Sequence, residues 1–156
     1  MKFRKSLTSL SILTAFGLLS VVQAQEKKLK REELPPAVEK TVSEQSKGAT
    51  IRGFSTEMDK GQSIYEAELI VSGHQKDISM DEHGNIVEVE EEVAIDSLPP
   101  AIKEGLRKSA GTRVIGKVES LAKNGKLVAY EAEVKEKAKH REIQVGPDGK
   151  KLAHLE

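Results

Sequence analysis

Strict alternation of apolar and polar residues marks two strands in this chain. Tyr65, Ala67 and Leu69 occupy every second position, and Glu66 and Glu68 lie between them. The same alternation returns further along, with Val128, Tyr130, Ala132 and Val134 opposite Glu131, Glu133 and Lys135. Successive side chains of a strand point to opposite faces, so this period of two predicts antiparallel strands with one buried face.

Two short helices are predicted upstream of these strands. Each begins at a proline pair and carries two apolar residues four positions apart: Pro35-Pro36 with Val38 and Val42, and Pro99-Pro100 with Ile102 and Leu106. Proline suits the first turn of a helix, where its missing N–H has no partner to lose. The spacing of four places both apolar side chains of a pair on one face of their helix.

The helix and the strand recur as one unit. Leu34-Pro35-Pro36-Ala37-Val38 returns 64 positions later as Leu98-Pro99-Pro100-Ala101-Ile102, and the strand around Tyr65 returns 65 positions later around Tyr130. A repeat of this length indicates one supersecondary unit used twice. Turn residues at hairpin intervals separate the strands, at Asp59-Lys60-Gly61, residues 82–85, Asn124-Gly125 and Pro147-Asp148-Gly149.

These patterns predict an α+β fold of two tandem repeats, each a short helix packed on a small antiparallel sheet of three or four strands. The predicted parts are a signal peptide (1–24), a basic N-terminal arm (25–32), a first repeat (33–95) and a second repeat (96–156). Because a unit of this size has a marginal core on its own, we expect the two units to pack together or to pair their sheets.

The N-terminal segment is typical of a secretory signal peptide. Lys2, Arg4 and Lys5 precede the uncharged apolar stretch 7–22, and small residues stand before a cleavage site after Ala24. The apolar stretch is short for a membrane span, so we expect export to the periplasm or the medium, with no transmembrane segment after cleavage. The product is predicted to begin at Gln25.

Charge divides the chain unevenly although its net charge is zero. Residues 32–95 hold 15 acidic and five basic residues, whereas residues 96–156 hold nine acidic and 13 basic residues. The asymmetry indicates either ordinary solvated surfaces, or electrostatic steering of a partner, or head-to-tail association of the two units. Because basic residues are not in excess over acidic ones, the charge balance argues against nucleic acid as a partner. The absence of cysteine excludes disulfides and thiolate metal sites.

No arrangement of residues points to catalysis. Asp81 and His83 could ligate a metal, but the spacing of a calcium loop is missing, so we interpret them as hairpin turn residues. Glu88, Glu90, Glu91 and Glu92 alternate with valines and are interpreted as the solvated face of the last strand of the first unit. We therefore expect no enzyme activity, no cofactor and no metal.

The motifs together resemble a known family. Leu-Pro-Pro at a helix start, Tyr-Glu-Ala-Glu in a strand and Ile-Gln-Val-Gly-Pro-Asp-Gly-Lys-Lys-Leu in a hairpin are similar to the PepSY-like domains of exported bacterial proteins. These domains are grouped with the β-lactamase-inhibitor-like fold. The resemblance covers residues 33–156 and implies two helix-plus-sheet repeats that form a concave sheet surface. It implies a binding or inhibitory module, and it supplies no catalytic residues.

The sequence therefore predicts an exported, non-enzymatic binding module, with inhibition or modulation of a secreted or envelope enzyme as one role. Its partner is expected to be a protein in the envelope or outside the cell. The outward positions of the two alternating strands are the predicted binding residues: Ile64, Glu66, Glu68, Ile70, Glu131, Glu133 and Lys135. A periplasmic small-molecule or cation-binding protein, which would use the acidic first unit, and a structural envelope component are the alternatives.

Overall fold

The computed structural model describes residues 26–136 and 139–156, so the predicted signal peptide lies outside the described residues. Eight strands form one antiparallel sheet in chain order. The strands are β1 (Lys27–Leu29), β2 (Thr50–Asp59), β3 (Gln62–Val71), β4 (His74–Asp81), β5 (Ile86–Glu92), β6 (Val114–Lys123), β7 (Lys126–Glu136) and β8 (Lys139–Val145). Two helices, α1 (Pro36–Gln45) and α2 (Pro100–Ala110), begin at the second proline of each pair, as predicted.

The predicted division into two repeats, each with its own small sheet, is wrong. Strand β5 pairs with β6 over five positions, from Glu88 opposite Lys123 to Glu92 opposite Glu119. The two predicted sheets are therefore one continuous sheet. An unpaired strand edge exposes backbone N–H and C=O groups, and the pairing of β5 with β6 removes one such edge from each half. Strand β5 is thus an interior strand and not the last strand of a separate unit.

Both helices lie on the same face of the sheet, above separate apolar clusters. Val38 and Val42 of α1 pack on the first cluster, which includes Ala67 and Leu69 of β3. Ile102 and Leu106 of α2 pack on the second cluster, with residues of β6, β7 and β8. The four helix side chains are at most 2% exposed, so each helix is held to the sheet by its predicted apolar stripe.

Two glycines allow the loops beyond β4 and β8 to touch the helices. A Cβ placed on Gly84 would lie 2.4 Å from the carbonyl oxygen of Ala37, and one on Gly149 would lie 2.3 Å from that of Ala101. Both glycines also have positive φ. The hydroxyl of Thr41 donates a hydrogen bond to the Gly84 carbonyl at 2.7 Å, which ties the first loop to α1.

Residues 26–136 and 139–156 include no helix with the length and apolar character that a membrane crossing requires.

Candidate functional site: an acidic face of the sheet

The face of the sheet opposite the helices carries the predicted binding residues. Ala67 and Leu69 are buried beneath α1, so the alternating positions of β3 point to the other face. Ile64, Glu66, Glu68 and Ile70 lie there, but all four are half-buried. On β7, Glu131, Glu133 and Lys135 share that face, and only Lys135 of these three is fully exposed.

Carboxylates from five neighbouring strands form a row across this face. Glu68, Asp77 and Glu90 are directly opposite one another on β3, β4 and β5, so their side chains share a face. On β6 and β7, Glu119 and Glu131 are directly opposite each other. We call these five residues the acidic row. Adjacent strands lie about 4.8 Å apart, so the row runs across the strands with roughly that repeat.

The centre of the acidic row is its tightest part. One carboxylate oxygen from each of Asp77, Glu90 and Glu119 lies within 4.8 Å of the other two. Glu119 is only 8% exposed and forms an ion pair with Lys117 at 2.8 Å. The Asp77 carboxylate accepts a hydrogen bond from Gln75 at 2.7 Å through Oδ2, whereas its Oδ1 is buried with no hydrogen-bond partner among the described residues.

Burial and the charges of neighbouring carboxylates raise the pKa of two glutamates on this face, Glu66 and Glu90. Burial, with the nearby charges of Asp77 and Glu68, raises the pKa of Glu66 to about 7. Burial, with the charges of Glu119 and Glu131, raises the pKa of Glu90 to about 7. Glu90 lies opposite Leu121, a buried side chain that removes water from its surroundings.

Hydrogen bonds oppose the rise in pKa at two further members of the acidic row, Asp77 and Glu131. Burial raises the pKa of Asp77, and the hydrogen bond from Gln75 opposes the rise. Burial likewise raises the pKa of Glu131, and a hydrogen bond from Gln144 at 2.6 Å opposes it. Burial lowers the pKa of Lys117, but its bond to Glu119 and the surrounding negative charges produce a net rise.

A polar concavity of about 420 Å³ adjoins the row at β6–β8. Its lining includes Lys117, Glu119, Glu131 and Glu133, with His140 in contact with Glu133. Acidic, basic and imidazole groups alternate around it, and its polar lining is unlike the mostly apolar lining of a typical small-molecule pocket.

Asp81 and His83, the pair weighed as metal ligands, belong to the turn between β4 and β5. The Asp81 carboxylate accepts hydrogen bonds from the backbone N–H groups of His83 and Asn85, both at 2.9 Å, and from the Asn85 side chain. These bonds keep the pKa of Asp81 below its ordinary value, with the Asn85 side chain as the main cause. The carboxylate thus closes the turn, as hairpin aspartates do.

The sequence patterns did not indicate Asp77, Glu90 and Glu119 as members of the site. Glu90 was interpreted as part of a solvated strand at the end of a unit, but it is half-buried beside β6. The alternation of Glu88, Glu90 and Glu92 was the available signal, because it places three carboxylates on one face. That pattern does not indicate that β6 is the strand beside which these carboxylates lie.

Comparison with solved structures identifies proteins that share this fold. A DUF2874 family protein from Bacteroides ovatus is 18% identical, with a TM-score of 0.61, and the match covers 76% of this chain and 84% of the other. A BLIP-like protein from Bacteroides fragilis is 21% identical, with a TM-score of 0.55 and coverage of 74% and 81%. A candidate periplasmic protein from Bacteroides eggerthii is 17% identical, with a TM-score of 0.63 and coverage of 76% and 86%.

These similarities support a BLIP-like fold, as the sequence motifs predicted. Neither the protein-family models nor the curated proteins include a match to this chain. The PepSY-like assignment stays a prediction.

Proposed function

We propose that the chain is an exported, non-enzymatic binding module that docks a positively charged protein partner on the acidic row. One observation carries the proposal: carboxylates from five adjacent strands lie side by side on a sheet face that neither helix covers. Such a surface attracts a basic partner over distances up to the screening length and accelerates its approach. Inhibition or modulation of a secreted or envelope enzyme is the role we assign to that docking.

The energetics of the row favour a cationic partner. Like charges on directly opposite strand positions repel, and partial burial weakens their hydration. Lysine or arginine side chains from a partner would relieve the repulsion around Glu90 and give the buried Oδ1 of Asp77 a donor. The relief of repulsion and the hydrogen bond to Asp77 therefore form only when the partner binds, and both favour the complex over the free protein.

Location in the bacterial periplasm is part of the proposal. The N-terminal sequence has the features of a signal peptide, and one of the proteins with the same fold is itself named as a candidate periplasmic protein. The BLIP-like fold neighbour supports a binding role over an enzymatic one.

The test compares isosteric variants for capture of a partner from the envelope fraction of the source cell. Glu68→Gln with Glu90→Gln removes two carboxyl groups from the acidic row and keeps its shape. Glu32→Gln with Glu44→Gln removes two charges from exposed positions outside the row. We expect a basic protein to be retained by the wild type and by the control pair at about 0.1 M salt, but lost with the row pair. Equal retention by both pairs would place the binding surface elsewhere.

Cation binding is the second candidate, because Asp77, Glu90 and Glu119 present hard oxygen ligands within 4.8 Å of one another. Lys117 already neutralises part of this charge, and a cation would have to displace or share its ion pair with Glu119. Thermal melts with millimolar Ca²⁺ or Mg²⁺ separate the candidates. A rise of about ten degrees that Glu90→Gln abolishes supports a cation site, whereas unchanged melts support the protein partner.

A further inference from the structure

The solvent side of α2 is basic. Its three basic positions are Lys103, Arg107 and Lys108, of which the last two are fully exposed. In α1 the positions 64 residues earlier are Glu39, Ser43 and Glu44. Glu104 and its counterpart Lys40 are also exposed, so the same helical surface has a net charge of −1 in the first half of the molecule and +2 in the second.

The loop after β8 extends this charge beyond the helix. It brings Lys150 and Lys151 beside Lys108, where they line a groove of about 380 Å³. The groove is narrow because α2 and the loop meet through glycines: a Cβ on Gly105 would lie 2.0 Å from the carbonyl oxygen of Gly149. We call the five basic residues of the helix and loop the basic face: Lys103, Arg107, Lys108, Lys150 and Lys151.

Two acidic residues adjoin the basic face and leave its charge positive. The Asp148 carboxylate forms an ion pair with the Lys150 ammonium at 3.0 Å. It also accepts a hydrogen bond from the backbone N–H of Lys150 at 2.9 Å. Glu104 is exposed on the helix beside Lys103, whose ammonium donates to the backbone carbonyl of Asp96 at 3.3 Å. Five positive and two negative charges give the surface a net charge of +3.

The basic face and the acidic row lie on opposite sides of the molecule. The acidic row is on the uncovered face of the sheet, whereas the basic face is on the far side of α2. A helix with its side chains is about 10–12 Å thick, which exceeds the screening length of about 8 Å at physiological ionic strength. An anionic surface that approaches α2 therefore meets the basic face and is shielded from the acidic row. The solvent side of α1 and the turn after it, on the same side of the sheet, have charges of both signs, with Lys40 and Lys47 beside Glu39 and Glu44.

We propose that the basic face docks the protein on an anionic phospholipid surface and turns the acidic row away from the bilayer. The charges are spread over an open helix side and a loop, an arrangement that suits a broad, multiply charged surface. Among the described residues the large exposed apolar side chains are Met58, Val114 and Leu155, and none of them belongs to this face. The contact is therefore electrostatic, reversible and weakened by salt. It does not depend on the proposed function of the acidic row.

The experiment is co-sedimentation with phosphatidylcholine vesicles that contain or lack phosphatidylglycerol. The variant Lys103→Gln, Arg107→Gln, Lys108→Gln removes three charges from the basic face. The control Lys28→Gln, Lys60→Gln, Lys126→Gln removes three charges from exposed positions in β1 and in two hairpins, outside both helices. All three proteins are exported products with the same N-terminus, verified by intact mass. Differences in vesicle binding between them are therefore caused by the substituted side chains. Circular dichroism melts confirm that both variants fold.

We expect wild type and control to bind the anionic vesicles at about 0.1 M salt, with binding lost at about 1 M salt. The basic-face variant should bind at least tenfold more weakly, because each basic residue near an anionic surface contributes several-fold to affinity. Equal binding by the two variants, or equal binding to vesicles without phosphatidylglycerol, would overturn the proposal.

Two further arms separate other anionic ligands from a bilayer. Release from vesicles by millimolar inorganic phosphate would indicate a small-anion site in the groove at Lys108 and would overturn docking on a surface. Binding to soluble polyglutamate without binding to vesicles would indicate an acidic protein as the partner, with the same consequence. Capture of a protein partner by the acidic row is measured in a separate experiment, with the Glu68 and Glu90 variants. Failure of one proposal therefore does not affect the test of the other.

Discussion

Glu66 and Glu90 make the stability of the folded chain depend on pH in an unusual direction. Each has a pKa of about 7 in the folded protein, above the ordinary value of 4.5. Between these values the folded state binds more protons than the unfolded state, so the free energy of unfolding increases as pH falls. We expect a gain of about 1–2 kcal/mol from pH 8 to pH 5.5, after allowance for the partial exposure of both groups. Urea unfolding followed by circular dichroism measures it.

The Glu66→Gln, Glu90→Gln variant provides the comparison, because it cannot gain or lose those protons. Its free energy of unfolding should rise less over the same interval, because only the raised pKa values of Asp77 and Glu131 still contribute, whereas Glu32→Gln with Glu44→Gln should retain the wild-type trend. A wild type that is less stable at pH 5.5 than at pH 8 would show that both carboxyls remain ionised and well hydrated.

Gly84 tests how tightly the loop after β4 packs on α1. Gly84→Ala places a Cβ 2.4 Å from the Ala37 carbonyl oxygen and also adopts an unfavourable positive φ. We expect a loss of about 2–4 kcal/mol in the free energy of unfolding. Gly61→Ala is the matched control, since Gly61 also has positive φ but nothing within 4 Å of its added Cβ. Its loss should be about 1 kcal/mol, the backbone cost alone.

If both substitutions cost the same, the loop moves away from α1 at little cost, and the hydrogen bond from Thr41 to Gly84 contributes little to that packing.

The secondary-structure elements were largely predictable because their signals are local. Alternation in β3 and β7, the apolar stripes of the helices and the turn residues all depend on neighbours within a few positions. The short strand β1 has no such signal: only Leu29 of its three residues packs on the core. It forms because Leu29 lies opposite Phe54 at an edge of the sheet.

Pairing of the two sheets was one of the expected arrangements, but the strands that join them, β5 and β6, and their register could not be read from the same patterns. Alternation predicts which face a residue occupies, but backbone hydrogen bonds between strands are the same for almost any sequence. The register of β6 is also interrupted, between Ile115 and Val118 and between Leu121 and Ala122. The meeting of Asp77, Glu90 and Glu119 depends on both features. The outward positions on β3 and β7 could be predicted from the local pattern alone, whereas the centre of the acidic row depends on tertiary structure.

At the scale of the whole molecule, one continuous sheet predicts one unfolding transition. The chain has two tyrosines and no tryptophan. Tyr65 packs on the first apolar cluster and Tyr130 on the second, so each reports one half of the molecule. The five residue pairs of β5 and β6 couple the halves. We expect Tyr65→Phe and Tyr130→Phe proteins each to show one urea midpoint, shared by tyrosine fluorescence and circular dichroism.

The fluorescence midpoint and the circular dichroism midpoint are compared within the same variant. Any loss of stability from the tyrosine substitution lowers both midpoints equally and does not affect the comparison. Fluorescence midpoints that differ from the circular dichroism midpoint in opposite directions would show that the two halves unfold separately, with β5 and β6 as a weak junction.

The strand order leaves β1 and β8 at the two sides of the sheet, where each has backbone groups without a strand partner in the described residues. Such edges are templates on which further molecules add strand by strand, as in cross-β fibrils. Strand β1 has only three residues, two of them lysines, and β8 begins Lys139-His140-Arg141. Any edge-to-edge meeting of two copies therefore brings positive charges together in the growing ladder. The basic residues at both sides of the sheet oppose fibril formation, a protection that an open eight-stranded sheet requires and that a closed barrel would not.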